Sequence, residues 1–192
     1  MPRGLQVLLE KHDHIELDGV PYRIKNSHRS YITALKIIRS EDIFEEDKPR
    51  AVLPLLFEDE IPEGRETDAV IAFFSLFSDK RRTTSDRKPS MDIVQDAEYI
   101  YAGFMQTYGI DLDETDLTIE RFIALLKGLP SDTRLAEITR IRTMEIPQRT
   151  KFNAKQIADI MSLKREYALT DTQDNGFSSF GKLIKEWAEH GR

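Results

Sequence analysis

Residues 91–147 constrain the fold most, because helical periodicity and helix-ending residues alternate along them. Over residues 92–108, apolar side chains recur at helical spacing, which predicts a helix with a wide and aromatic buried face. Gly109 follows at the position where a left-handed helix cap is expected. Two further amphipathic helices come next, and Gly128 and Pro130 separate them. Three such helices joined by short links can form the core of a domain.

Short polar residues predict where the second and third of these helices begin. Asp116 or Thr118 can cap the second helix and Ser131 or Asp132 the third, because their side-chain oxygens accept hydrogen bonds from the first turn. Pro147 is expected to end the third helix. The predicted buried residues are Ile93, Val94, Ala97, Ile100, Tyr101, Phe104, Met105 and Tyr108 in the first helix, Ile119, Phe122, Ile123 and Leu126 in the second, and Leu135, Ile138, Ile141 and Met144 in the third.

The N-terminal part of the chain predicts a β-hairpin. Residues 14–25 alternate between apolar and polar side chains on either side of Asp18-Gly19, which is the strongest two-residue hairpin signal. Pro21 confines the second strand to a sheet edge or to the start of the strand. Because a lone hairpin is marginally stable, it must dock on another element.

Three helices are predicted between the hairpin and the central segment. Ser27 or Ser30 caps the first, and Asp47-Lys48-Pro49 begins the second. Pro54 is awkward if the second helix extends far beyond one turn. The third covers residues 67–78 and is so rich in phenylalanine that it must be buried against the central helices or against another protein.

The C-terminal part predicts two more helices. Asn153 and Gln156 form a capping-box pattern that opens the first of them. Its apolar residues are Ile157, Ile160 and Met161. Residues 170–176 form a polar link, and a short amphipathic helix follows this link.

The sequence therefore predicts a mainly α fold, a helical domain of about six or seven helices with a small N-terminal β-hairpin. The absence of large apolar residues from residues 80–90 indicates an exposed linker. The predicted units are residues 1–79 (hairpin plus helices), 80–90 (linker), 91–169 (central helical unit) and 170–192 (mobile link and C-terminal amphipathic helix).

Composition limits the classes of function. The 192 residues are 40% hydrophobic and 32% charged, which is typical of a soluble, helix-rich globular protein. No apolar run approaches the roughly 18–20 residues that a membrane helix needs. The chain has no cysteine, which excludes disulfides, a thiol nucleophile and cysteine-based zinc sites. The formal net charge of −6 argues against non-specific nucleic-acid binding as the main activity.

The sequence contains no recognisable catalytic, metal or cofactor motif. The acidic stretch from Asp111 fails as a calcium loop, because positions six and twelve are Asp116 and Phe122 instead of glycine and glutamate. His12-Asp13-His14 can ligate a metal, but alternate residues near a chain terminus are more often solvent-exposed. Nothing resembles a nucleophile elbow or a phosphate-binding glycine loop. We therefore expect no enzymatic activity, no metal and no cofactor.

The apolar and aromatic side chains exceed what one small core obviously needs. The candidate partner-binding residues are Phe73, Phe74, Phe77, Tyr101, Phe104, Tyr108, Ile119, Phe180, Leu183, Ile184 and Trp187. Core packing is the alternative for the aromatic residues before residue 120. The last four lie on the final helix, and a short amphipathic helix beyond a flexible link commonly docks into a groove of its own chain or of a neighbour.

One ordered series of residues runs through the central helices. It consists of Asp96-Ala97-Glu98-Tyr99-Ile100-Tyr101, Phe104, Tyr108-Gly109-Ile110-Asp111-Leu112, Phe122-x-Ala124-Leu125-Leu126-x-Gly128-Leu129-Pro130-x-Asp132-Thr133 and Ile141-Arg142-Thr143-Met144. This series resembles the bacteriophage Gp15 family, most strongly over residues 91–146 and more loosely over the N-terminal part. The family consists of small proteins of long-tailed phages of Gram-positive bacteria that look like tail assembly chaperones, encoded next to the tape-measure protein.

The resemblance implies a non-catalytic chaperone that binds the tape-measure protein in the host cytoplasm, helps the tail tube to assemble and then leaves. It implies self-association, because coating a long rod needs many copies, and the tail-tube protein as a further partner. Neither nucleic acid nor a membrane is expected as a partner. The alternative is a minor structural protein retained in the phage tail. The family usually carries two tryptophans where this chain has Ile119 and Glu120, so a partner surface built on them would differ here.

Overall fold

The computed structural model describes residues 12–77 and 90–170. Within these residues the fold is mainly α with one small N-terminal hairpin, which confirms the predicted fold class. The elements are β1 (His14–Leu17), β2 (Val20–Arg23), α1 (His28–Ile38), α2 (Lys48–Leu56), α3 (Glu66–Phe77), α4 (Ala97–Tyr108), α5 (Ile119–Lys127), α6 (Arg134–Thr143) and α7 (Ala154–Glu166). No helix in these two ranges combines the length and the apolar content needed to cross a bilayer.

The hairpin forms as predicted, from two antiparallel strands with Ile15 opposite Tyr22. Asp18 and Gly19 both have positive φ angles, of 52° and 79°. Positive φ at both central residues is what a tight two-residue turn requires, and it favours glycine and aspartate there. Pro21 lies inside β2, where a two-stranded sheet leaves every strand at an edge. The hairpin docks through the buried side chains of β1 onto the helices.

One hydrophobic core joins the hairpin, α1 to α3 and the central helices. Its largest fully buried side chains include Phe73 of α3, Phe104 of α4 and Phe122 of α5. The rings of Phe104 and Phe122 stack with centroids 5.4 Å apart. His28 of α1 also stacks on Phe122, with ring centroids 5.3 Å apart. The described parts of the predicted N-terminal piece and of the central unit therefore share one core.

Several helix ends are confirmed. Ser27 caps α1 and Thr118 caps α5, each accepting a hydrogen bond from a backbone N–H in the first turn. Gly109 follows α4 in the left-handed conformation, with φ of 63°. A residue with a side chain is strained at such an angle, so glycine suits this position.

The predicted cap of the third central helix is wrong. Thr133 caps α6, with extended backbone angles of −78° and 150° and its Oγ1 accepting a hydrogen bond from the N–H of Ala136 at 3.3 Å. Ser131 and Asp132 lie in the turn that precedes it. The turn closes when the N–H of Thr133 donates to the Pro130 carbonyl, which places Thr133 at the helix entrance.

The start of the first central helix also differs from the prediction. α4 begins at Ala97, because Asp92 Oδ1 accepts hydrogen bonds from the N–H groups of Val94 and Gln95, both at 2.8 Å, and holds this stretch in a turn. The periodicity predicts that Ala97 and Met105 are buried, which is wrong, since both are exposed. Wide apolar periodicity therefore overestimates the face that α4 buries.

Pro54 does not end the second helix as early as its chemistry suggests. α2 continues for two residues to Leu56. Proline removes one N–H from a helix, and this loss falls near the end, where few intrahelical bonds remain to be made. Lys25 Nζ donates a hydrogen bond to the Pro54 carbonyl at 2.7 Å and so provides it with a partner from outside the helix.

Candidate protein-interaction surface

Four of the predicted partner-binding residues lie in the core. Phe73, Phe74, Phe104 and Ile119 are all buried, at 0 to 2% exposure. Core packing is therefore the role that the structure gives these side chains, the alternative that the sequence left open for the aromatic ones. A role in partner binding would require this core to open.

The other predicted residues within the described ranges are half-buried. Phe77 packs edge-on against Tyr31, with ring centroids 6.1 Å apart. Tyr108 donates its hydroxyl hydrogen to the Leu125 carbonyl at 3.0 Å. Tyr101 lies on the side of α4 that also presents the exposed Met105. The predicted C-terminal helix lies outside the described residues, as do its candidates Phe180, Leu183, Ile184 and Trp187 and residues 80–89 of the predicted linker.

Ile119 and Glu120 contact the N-terminal segment. The N–H of Ile119 donates to Asn26 Oδ1 at 2.8 Å, and Asn26 Nδ2 donates to Glu120 Oε2 at 2.9 Å. His12 donates its backbone N–H to the same carboxylate. Burial alone would raise the pKa of Glu120, but the hydrogen bonds from Asn26 and His12 outweigh burial and lower this pKa. Ile119 and Glu120 therefore join the N-terminal segment to the central helices.

Two buried carboxylates tie α1 and α6 to the turn before α4. Asp96 receives two hydrogen bonds from Arg142 of α6, at 2.6 and 2.7 Å. Asp92 receives two from Arg39, which follows α1, at 2.7 and 2.9 Å. The N–H of Asp92 also donates to Asp96 Oδ2 at 2.9 Å, so the two ion pairs form one network. Such pairs are favourable only when their hydrogen bonds are nearly complete, as they are here.

Hydrogen bonds attach α7 to the end of α6. Lys164 Nζ donates to the carbonyls of Arg142 and Met144, at 2.6 and 2.7 Å, and more weakly to that of Ile141 at 3.3 Å. The last carbonyls of a helix lack partners within the helix, so this ammonium caps α6. α6 therefore ends at Thr143 and not at the predicted Pro147, and Met144 follows it.

The C-terminal end of α7 adds contacts to two arginines. Arg142 Nε donates to the Tyr167 carbonyl at 2.6 Å, and Arg134 Nη2 donates to the Tyr167 hydroxyl at 2.7 Å. The Arg134 guanidinium also lies 5.3 Å from the centre of the Tyr167 ring, within the range of a cation–π contact. These polar contacts hold α7 in place while Met161 and Leu163 stay exposed.

The segment formed by residues 146–170, here called the α7 arm, exposes apolar side chains. None of the residues of α7 is buried. Phe152 is 97% exposed, and Ile146, Met161 and Leu163 are exposed to between 39 and 48%. Exposed apolar side chains grouped on one segment are typical of a protein-binding surface, whereas scattered ones need no explanation. The arm is therefore the candidate interaction surface.

The start of α7 lacks both the capping box and the hydrophobic staple, two contacts that often fix the start of a helix. The predicted capping box does not form, because the Asn153 side chain bonds backwards to the Thr150 N–H and the Gln148 carbonyl. Phe152 precedes this cap and is the residue that would pack against Ile157 in a hydrophobic staple, yet it is almost fully exposed. The staple position of Phe152 was the one sequence signal that could have drawn attention to this residue.

The α7 arm is also basic. Residues 146–170 contain five basic and two acidic side chains, whereas the whole chain has a net charge of −6. Lys151 and Lys155 are exposed beside Phe152 in sequence. The arm is thus suited to a partner surface that combines apolar and acidic side chains.

Replacing Lys164 by methionine is expected to loosen α7 while leaving the core folded. Methionine keeps an apolar stem but cannot donate to the three carbonyls at the end of α6. Losing bonds worth about 1.4 kcal/mol in total would raise the amide exchange rate of α7 about tenfold. Hydrogen exchange read by mass spectrometry measures this rate. Lys155→Met, on the same helix and exposed, is the matched control, and equal exchange in both variants would contradict the capping role.

Within residues 12–77 and 90–170, no three His, Asp or Glu side chains are grouped so that they could hold a metal ion. The geometry instead defines a small helical protein with an open apolar arm. A family model described as bacteriophage Gp15 protein matches residues 9–169. The chain belongs to this family, which suggests a structural or head–tail protein of a phage. No curated protein and no solved structure matches the chain significantly.

Proposed function

We propose that this protein is a non-catalytic tail assembly chaperone that binds the phage tape-measure protein in the host cytoplasm. The observation that carries the proposal is the α7 arm, which exposes Phe152, Met161 and Leu163 in a chain of a bacteriophage family. Exposed apolar side chains such as these can bind an amphipathic partner helix by covering part of its apolar face. A tape-measure protein, being long and helical, offers many such faces.

The small number of exposed apolar side chains on the arm suits reversible binding. Fully burying one large apolar side chain contributes about 1.5–3 kcal/mol, and association itself costs several kcal/mol. An arm with few such side chains binds one site weakly. Many copies along one rod shield it together, and tail-tube subunits can then displace them one at a time. This scheme requires several copies for each tape-measure protein.

Replacing Phe152 and Met161 together by alanine is expected to weaken tape-measure binding at least about tenfold, because about 1.4 kcal/mol corresponds to one factor of ten. The measurement is co-expression with the tape-measure protein, followed by affinity pull-down and an assay of its solubility. Phe44→Ala is the matched control, since Phe44 is 76% exposed and lies outside the arm. A tape-measure protein that stays insoluble with the unaltered chain would refute the proposal.

The second candidate is a minor structural protein that stays in the finished tail. The family suggests a structural or head–tail role, and this observation favours the alternative. Mass spectrometry of purified phage particles separates the two functions. A chaperone is expected to be absent from the particles, and a structural protein is expected at a fixed copy number.

A further inference from the structure

A second exposed surface of the chain is acidic, whereas the α7 arm is basic. The acidic α4 patch, as we name it, consists of Tyr101, Met105 and Tyr108 of α4 with Asp111, Asp113 and Glu114 of the following link. Met105 is 42% exposed, and Asp113 and Glu114 are exposed in the link that begins directly after the Gly109 cap of α4. Partial desolvation, then the charge of Asp111 and its hydrogen bond with Tyr101, raise the pKa of Tyr101.

The α7 arm approaches the other end of α4. Thr170 of the arm donates its N–H to Gln95 Oε1 at 3.0 Å, just before α4 begins at Ala97. The acidic α4 patch lies towards the C-terminal end of α4 and in the link that follows it. The arm therefore leaves the acidic α4 patch of its own chain open.

We propose that the α7 arm of one copy docks on the acidic α4 patch of a second copy. Both surfaces expose apolar side chains, and their net charges are opposite. The arm has five basic and two acidic residues, and the patch has three acidic residues beside one arginine, Arg29, which donates to the Leu112 carbonyl of the link. Complementary charge around an apolar contact favours the correct partner and speeds association. Each chain carries one arm and one patch at different places, so the contact runs head to tail and can repeat along a row of copies.

The inference rests on the proposed function in one respect, because it takes the same arm to bind the tape-measure protein. A copy whose arm is held by a neighbour cannot offer that arm to the tape-measure protein, so the tape-measure protein competes with self-association. Without the tape-measure protein, head-to-tail docking covers the apolar arm and protects the chain from non-specific aggregation.

A pair of charge-reversed variants tests the contact on the full chain. The arm variant carries Lys151→Glu and Lys155→Glu, and the patch variant carries Asp113→Lys and Glu114→Lys. All four residues are exposed, so the fold should be retained, and circular dichroism verifies this. Sedimentation velocity over a range of protein concentrations measures self-association. Each variant alone is expected to associate at least about tenfold more weakly than the unaltered chain.

Mixing the two variants is the decisive step. An acidic arm then meets a basic patch, and a basic arm meets an acidic patch, so an equimolar mixture is expected to regain self-association. Unaltered association of each variant alone, a mixture that stays monomeric, or an unaltered chain that is monomeric throughout would each overturn the inference. The patch variant keeps its arm, so its solubilisation of the tape-measure protein reports on the proposed function independently.

Discussion

Replacing Asp96 by alanine is expected to lower the free energy of unfolding by about 3–5 kcal/mol, the cost of removing one partner from a buried ion pair. Asp96 is 1% exposed, and its carboxylate accepts two hydrogen bonds from Arg142 and one from the N–H of Asp92. Alanine leaves the Arg142 guanidinium in the same place without its counter-charge. The Asp92–Arg39 pair loses a neighbour in the network as well. Urea unfolding followed by circular dichroism measures the change.

An exposed ion pair is the control for this substitution. Glu137 pairs with Arg134 on the surface of α6, where both side chains are about half exposed. Glu137→Ala is expected to cost no more than about 1 kcal/mol, since water screens such pairs and solvates the remaining partner. Equal effects of Asp96→Ala and Glu137→Ala would show that the buried network does not carry the stability that its geometry implies.

The features that sequence predicts best here depend on neighbouring residues. The turn at Asp18-Gly19 and the cap at Gly109 require positive φ angles, and glycine is the residue that adopts them most easily. Thr118 caps α5 with its own side chain. Each of these interactions spans two or three residues, so a short stretch of sequence contains both partners.

The features that sequence does not predict depend on residues far apart in the chain. Asp92 and Arg39 are separated by 53 positions, and Asp96 and Arg142 by 46. The apolar spacing predicts that residues 92–96 belong to the helix. Asp92 instead holds this stretch in a turn by accepting hydrogen bonds from Val94 and Gln95, so α4 begins only at Ala97. Periodicity reports which side chains could face a core, but not which of them a distant partner covers.

For the α7 arm, the sequence predicts the helix but not which of its side chains stay exposed. Helical spacing correctly predicted a helix there, and Ile157 and Ile160 are half-buried as apolar residues at that spacing should be. The exposure of Met161 follows from the shape of the attachment, in which Lys164 and Tyr167 contact α6 through polar groups. A sequence alone does not indicate that a helix is held by its polar atoms, and so the candidate surface emerged only from the fold.

Replacing Phe104 by alanine is expected to destabilise the fold by about 3–5 kcal/mol, the usual cost of deleting a buried phenylalanine ring. Phe104 is 0% exposed, stacks on Phe122 at 5.4 Å and meets Tyr108 edge-on at 5.7 Å. The substitution leaves a cavity between α4 and α5 that these rigid aromatic neighbours cannot fill. Thermal and urea unfolding measure the loss.

Met105→Ala is the matched control, because Met105 is the next residue of the same helix and is 42% exposed. Its expected effect on unfolding is within about 0.5 kcal/mol, the range typical of surface substitutions. Tape-measure binding lost in Phe104→Ala would therefore follow from unfolding, and only variants of exposed residues identify the contact surface. If Phe104→Ala unfolds like the unaltered chain but fails to bind the tape-measure protein, the ring is a partner contact and the core described here opens when the partner binds.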